Sequence, residues 1–93
     1  MPNVAVIIPT TGSAQLRPCI DSVLGQSFAQ IKPVIVIDGP EFVDASHTTL
    51  QGLDMRAIQV CTLPANVGRN GFYGHRIYAA FSHLVDADYL CYL

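Results

Sequence analysis

Charge is scarce in this chain of 93 residues, with five Lys and Arg against seven Asp and Glu. A formal net charge of −2 leaves no electrostatic footprint for nucleic acid or an anionic membrane surface. Long apolar runs are missing too, and nothing approaches the roughly 20 consecutive apolar residues of a membrane span. The start lacks a basic segment and its apolar run is broken at Pro9, so no secretory leader is expected. Cysteine is sparse and odd in number. Cys19, Cys61 and Cys91 are widely spaced, lie outside any CxxC and sit in apolar stretches. They read as buried free thiols in a reducing compartment, and the expected location is cytoplasmic. His47, His75 and His83 do not cluster at the short spacings a zinc site needs. Repeats, linkers and low-complexity tracts are absent.

What the chain does have is apolar substance: 51% of residues are hydrophobic and only 13% charged, rich for a free-standing domain of this length. A chain this short makes one compact domain and buries about 60–65% of its unfolded surface. Some apolar material therefore lacks a place inside. The expectation is a covering partner, either further chain or another subunit in a homo-oligomer.

Val4-Ala-Val-Ile-Ile8 is a continuous, mostly β-branched run closed by Pro9, as in a strand buried on both faces of a parallel sheet. Leu16, Cys19, Ile20, Val23 and Leu24 follow at helical spacing and form one apolar stripe. Pro18 is tolerable there only near the helix start, with Ser13 as a plausible cap and Gly25 as the stop. Val34-Ile-Val-Ile37, entered by Pro33 and ended by Asp38-Gly-Pro40, is a second buried strand. A weaker helix is expected from about Phe42 to Leu53, with Phe42, Ala45, Thr49 and Leu53 inward. Residues Ala57 to Leu63 alternate like a strand near a sheet edge. After a loop from Pro64 to Gly74 comes a third helix to Val85, with Ile77, Phe81, Leu84 and Val85 as its core face. Tyr89-Leu-Cys-Tyr-Leu93 is a fourth strand.

The order β-α-β-α-β-α-β implies an α/β fold: a Rossmann-like, open, mostly parallel sheet of four strands with helices on both faces. Right-handed crossovers make 3-2-1-4 the expected strand order. In such sheets ligands bind outside the carboxyl ends of the strands. Those ends are Pro9-Thr-Thr-Gly12, Asp38-Gly-Pro40 and the loop from Asn66 to His75. A dinucleotide fingerprint would need GxGxxG after the first strand, and a P-loop would need GxxxxGK[ST]. Thr10-Thr-Gly-Ser-Ala-Gln15 supplies neither. Asp38 is the most informative single residue, because a carboxylate ending a buried strand must be capped, solvated or engaged. It either caps its own Asp-Gly-Pro turn or accepts hydrogen bonds from a ligand.

Four segments together resemble family 2 glycosyltransferases of the GT-A fold. They are Val-Ile-Ile-Pro-Thr10, Asp21-Ser-Val-Leu-Gly-Gln-Ser-Phe28, the strand closing on Asp38-Gly39, and Leu63-Pro-Ala-Asn-Val-Gly68. Tyr89-Leu-Cys-Tyr-Leu93 is similar to the family's strand that leads into its DxD motif. The chain departs from the pattern where Ile37 replaces the first acid of the usual Asp pair and Thr11-Gly12 replaces Tyr-Asn. The loop from Asn66 to Arg76 is also longer than the common form.

The resemblance implies that residues 1–93 are the N-terminal, nucleotide-sugar-binding part of a transferase domain, truncated before DxD. Pro9, Thr10 and Thr11 would then line the nucleotide pocket, with Asp38 and Gly39 at the base. Asn66 and Gly68 would shape the covering loop, and Arg76, with His75 beside it, would face the diphosphate. It further implies that a sugar is transferred from a nucleotide diphosphate sugar, first of all a UDP-sugar, to an acceptor. The full-length enzyme would use divalent Mg or Mn, held by carboxylates just after Leu93, and no catalytic or metal-binding residue is expected within these 93. The alternatives are a non-catalytic Rossmann or flavodoxin-like nucleotide-binding module, and an assembly module.

Overall fold

The structure is a computed structural model that describes residues 3–26, 30–68, 74–85, 87 and 89–93. Residues 27–29 of the second quoted segment and 69–73 of the long loop lie outside the described residues. The elements run β1 (Val4–Thr10), α1 (Leu16–Leu24), β2 (Ile31–Ile37), a 3-10 turn (Pro40–Phe42), α2 (Val43–Leu50), β3 (Gln59–Thr62), α3 (His75–Leu84) and β4 (Tyr89–Tyr92). The four strands form one sheet in the order β3-β2-β1-β4, and every pairing is parallel. This is the expected α/β architecture.

The inner strands β1 and β2 explain why helices are needed on both sides. Val6, Ile8, Ile35 and Ile37 point to one face, where they meet Leu16, Ile20 and Val23 of α1, Leu50 of α2 and Ile58. Ala5, Ile7, Val34 and Val36 point to the other, against Ile77 and Phe81 of α3. Each fully buried aliphatic side chain contributes about 1.5–3 kcal/mol, so neither face can be left wet.

Both strands extend past the prolines that were expected to bound them. The Thr10 carbonyl accepts the Asp38 N–H toward β2, and the Ile7 carbonyl accepts the Leu93 N–H toward β4. By alternation Pro9 faces the β4 side, where pairing has ended at Ile7–Tyr92. Pro33 likewise faces the β3 side, ahead of the first β2–β3 pair at Val34–Gln59. In both places the missing N–H has no neighbouring strand to serve.

The helices bring further corrections. Helix α1 is preceded by Gln15 rather than capped by the Ser13 side chain, and the Ser13 carbonyl accepts the Leu16 N–H. Pro18 falls in its first turn, where a backbone donor has no intrahelical partner. Gly25 ends it, as expected. In α2 the inward residues are Ser46 and Leu50, not Ala45 and Thr49, and Gly52 lies beyond the helix at φ +84°. The helix is short and weakly amphipathic, so tertiary contacts choose its face. Arg17 ties α1 to it, donating to the carbonyls of Thr49 (3.1 Å) and Gln51 (2.9 Å), which the helix end leaves unpaired. On α3, Leu84 is 72% exposed instead of core-facing, while Val85 packs against the second cluster.

Helix α2 rests directly on the loop after β1. Gly12 adopts φ +78°, and a Cβ there would stand 2.8 Å from Ala45 Cβ and 3.2 Å from Ser46 Oγ. Ser46 is fully buried with no partner for its hydroxyl among the described residues. Thermal melts of two variants test this joint. Gly12→Ala is expected to lose about 1–3 kcal/mol through strain and overpacking. Ser46→Ala should hold or gain up to about 1 kcal/mol, since it removes an unpaired buried hydroxyl. Unchanged melting of Gly12→Ala would show that helix and loop are not in register as described.

Candidate functional site

In this strand order the chain leaves β1 toward β2 and β3, then returns to place β4 on the other side of β1. Strand β1 thus sits where the strand order reverses, with α1 on one face and α3 on the other, and a crevice is expected at its carboxyl end. A cleft of about 420 Å³ opens there. Its walls include six of the eight residues expected from sequence: Pro9, Thr10, Thr11, Asp38, Asn66 and Gly68. The other two are absent from its lining. Gly39 is buried behind Asp38 at φ +122°, where a Cβ would collide with the Glu41 carboxylate and approach the Asn66 amide nitrogen at 3.2 Å. Arg76, like His75, lies exposed in the first turn of α3.

Each wall has a local cause. Thr10 ends β1 at 8% exposure, and its Oγ1 accepts the Gly12 N–H (2.9 Å), which folds the following turn back on the strand. Leu16 and Cys19 of α1 line the cleft as well, together with Ser13, Gln15 and Ile8. Leu16 and Cys19 read as core-stripe positions in the sequence, and the stripe is wide enough that its first turn reaches past the sheet into the cleft. On the far side Tyr78 donates its hydroxyl to the Leu93 carbonyl (2.9 Å), fixing the end of β4 against α3.

Asp38 is only 4% exposed, and it does not cap its own turn. Its Oδ1 accepts the Val67 N–H at 2.7 Å and its Oδ2 accepts the Gly68 N–H at 2.9 Å. Both donors come from a loop about thirty residues further along, a pairing that no local turn pattern reveals. Beside them, Asn66 Oδ1 is buried with no hydrogen-bond partner among the described residues.

None of the described lining residues is Lys, Arg or His. The site therefore offers hydroxyls, amides and one engaged carboxylate over an apolar floor of Ile8, Leu16 and Cys19. Such a surface suits a flat, uncharged ligand part with hydrogen-bonding edges. A divalent metal does not fit the described residues. No three of their His, Cys, Asp or Glu side chains come together, and Asp38 has both oxygens turned to backbone amides.

A second depression of about 480 Å³ lies beside the edge strand β3, between the end of α2 and residues Leu53, Met55, Val60 and Thr62. It is similar in size to the cleft, yet it sits on the flank of the sheet, away from the carboxyl ends of β1 and β4. No helix among the described residues is long and apolar enough to cross a membrane.

Burial pushes the Cys19 thiol above its ordinary range. The neutral thiol is thus the favoured form in the folded chain. Its contribution to stability is intact below the usual thiol range and is lost as pH rises through the raised value. Cys91 is exposed. Alkylation followed by peptide mass spectrometry at neutral pH should therefore modify Cys91 well before Cys19. Equal rates would mean that Cys19 is not packed in the cleft wall.

The chain matches no protein-family model, and neither a curated protein nor a solved structure is significantly similar to it.

Proposed function

We propose that this chain is the nucleotide-binding part of a family 2 glycosyltransferase, whose whole enzyme transfers a sugar from a nucleotide diphosphate sugar, foremost a UDP-sugar, to an acceptor. The observation that carries this is the convergence of Pro9-Thr10-Thr11, Asp38 and Asn66–Gly68 on one cleft at the switch point of a 3-2-1-4 sheet. Those residues belong to separate segments of the motif resemblance, and the parallel sheet gathers them because they follow the carboxyl ends of its strands, around a cavity of ligand size.

In this proposal the present residues bind and orient. The base lies on the apolar floor of Ile8, Leu16 and Cys19, and the hydroxyls of Thr10, Thr11 and Ser13 meet its polar edges and the ribose. The diphosphate points toward the mouth of the cleft, in the direction of α3 and Arg76. No transfer step is assigned to the described residues, and none is routed through a metal. The Mg or Mn expected of the full enzyme would act on the diphosphate from carboxylates other than these.

A binding module without transfer chemistry is the second reading. The lack of clustered carboxylates among the described residues is common to both readings. A cytoplasmic setting accords with the three free cysteines.

The apolar surplus also has a place. Tyr89 (61% exposed) and Leu93 (53%) lie on and beside the edge strand β4, and Leu84 (72%) ends α3. Such exposure supports a covering partner there, further chain or a second copy. Sedimentation velocity of the 93-residue chain is expected to show a dimer or larger. A clean monomer at high concentration would remove the second copy from consideration.

Calorimetric titration with UDP tests the nucleotide site. Weak binding is expected, unchanged by Mn²⁺, and weakened roughly tenfold in Asp38→Ala, the scale of a lost charge-assisted hydrogen bond. No binding would defeat the proposal, and tight binding that requires metal would show that the metal site had been misplaced.

A further inference from the structure

Asp38 stands where a ligand-reading acid would be expected, yet its geometry points to another task. A carboxylate 4% exposed at the end of a central strand is costly unless its oxygens are paired. Here each oxygen has its own donor, and the donors are the consecutive N–H groups of Val67 and Gly68, at 2.7 and 2.9 Å. Two successive backbone amides converging on one anion make a nest, the same device that holds phosphates and carboxylates in binding sites. In this chain the nest is filled from within.

We propose that Asp38 is a positioning residue: its carboxylate serves as a built-in anion that folds the 66–68 segment onto the end of β2 and so raises one wall of the cleft before any ligand arrives. Three observations support this together. Among the described residues the segment is otherwise held by the packing of Val67 on the second core cluster, since β3 has already ended at Thr62 and the last ladder-like bond is from the Leu63 N–H to the Ile37 carbonyl. Gly39 is held at φ +122° beside the segment, where an added Cβ would stand 3.2 Å from the Asn66 nitrogen, a tight contact. Finally, Asn66 and Gly68 both line the cleft, so the latch and the cleft wall are one piece of chain.

The charge matters as much as the shape. A carboxylate accepts both amides at once, whereas the amide of an asparagine has one acceptor oxygen and would turn a donor toward the second N–H. Asp38→Asn should therefore keep one latch bond and lose the other, and Asp38→Ala should lose both while leaving an open nest. An open nest of two amides is a site for a small external carboxylate, which makes the loss reversible.

The inference rests on the cleft being the nucleotide site only where it concerns ligand affinity; the latch itself requires no ligand. The experiment is amide hydrogen exchange by NMR on the ligand-free, full 93-residue chain, in wild type, Asp38→Asn and Asp38→Ala. In wild type, the Val67 and Gly68 amides are expected to be protected roughly 10- to 100-fold more than in Asp38→Ala, the range of a hydrogen bond to a charged group. In Asp38→Asn one of the two should remain protected. Sodium formate should restore protection at both amides in Asp38→Ala, while sodium chloride of equal ionic strength should not.

Free exchange of these amides in wild type, or unchanged protection in Asp38→Ala, would overturn the latch. An equal response to formate and chloride would do the same. Should Asp38→Ala not fold, the single-amide loss in Asp38→Asn decides. UDP affinity measured in the same samples separates the two levels. If formate restores the wall but not the affinity, Asp38 touches the ligand itself and is no mere positioning residue. If wild type shows the latch and binds no UDP, the nucleotide proposal fails and the latch stands.

Discussion

Two adjacent strands, β1 and β2, are apolar on both faces, and that constraint organises the molecule. Ile7, Ile35 and Ile37 are fully buried, and a sheet with such a centre must be covered twice. Parallel pairing with helical crossovers does so, α1 and α2 taking one face and α3 the other. Polar chemistry is thereby excluded from the middle of the sheet and concentrated where the strands stop. The cleft lies where it does because β4 joins the sheet on the side of β1 opposite to β2.

The same constraint explains why the carboxylate of Asp38 is handled with care. One residue beyond Ile37 the chain is still within the covered region, and Asp38 is nearly as buried as its neighbours. A charge in that position must find donors. The nearest supply is the backbone of residues 67 and 68, and accepting those amides gives the cleft a wall. Burial, loop order and ligand access are then consequences of one interaction, at the junction of core and site.

Much of this was legible in the sequence. β-branched runs at 4–8 and 34–37 and the 16–24 stripe specify strand and helix through side-chain periodicity, which is a local property. Their parallel arrangement followed from the alternation of elements, and the site region from the polar corners that end each strand. What stayed hidden depends on contacts remote in sequence. Pro9 and Pro33 sit inside strands because their faces happen to meet no partner there, a matter of pairing register. The inward face of α2 is decided by packing on Gly12, and Leu84 looks outward although its spacing suggested the core. Arg17 caps α2 from another helix. Asp38 was recognised as the pivotal residue, but its partners lie about thirty residues away, beyond any turn motif. Arg76 was placed near a diphosphate by resemblance, and the structure leaves it outside the cleft lining.

The proposed nucleotide site is the strand-end cleft and not the depression beside β3. Mapping of amide chemical-shift changes on adding UDP tests this most directly. Binding in the cleft is expected to gather the changes at Thr10, Thr11, Cys19 and Asn66–Gly68, with His47–Leu53 and Val60 silent. Changes centred on His47, Leu53, Met55 and Val60, with the strand-end residues unmoved, would contradict it.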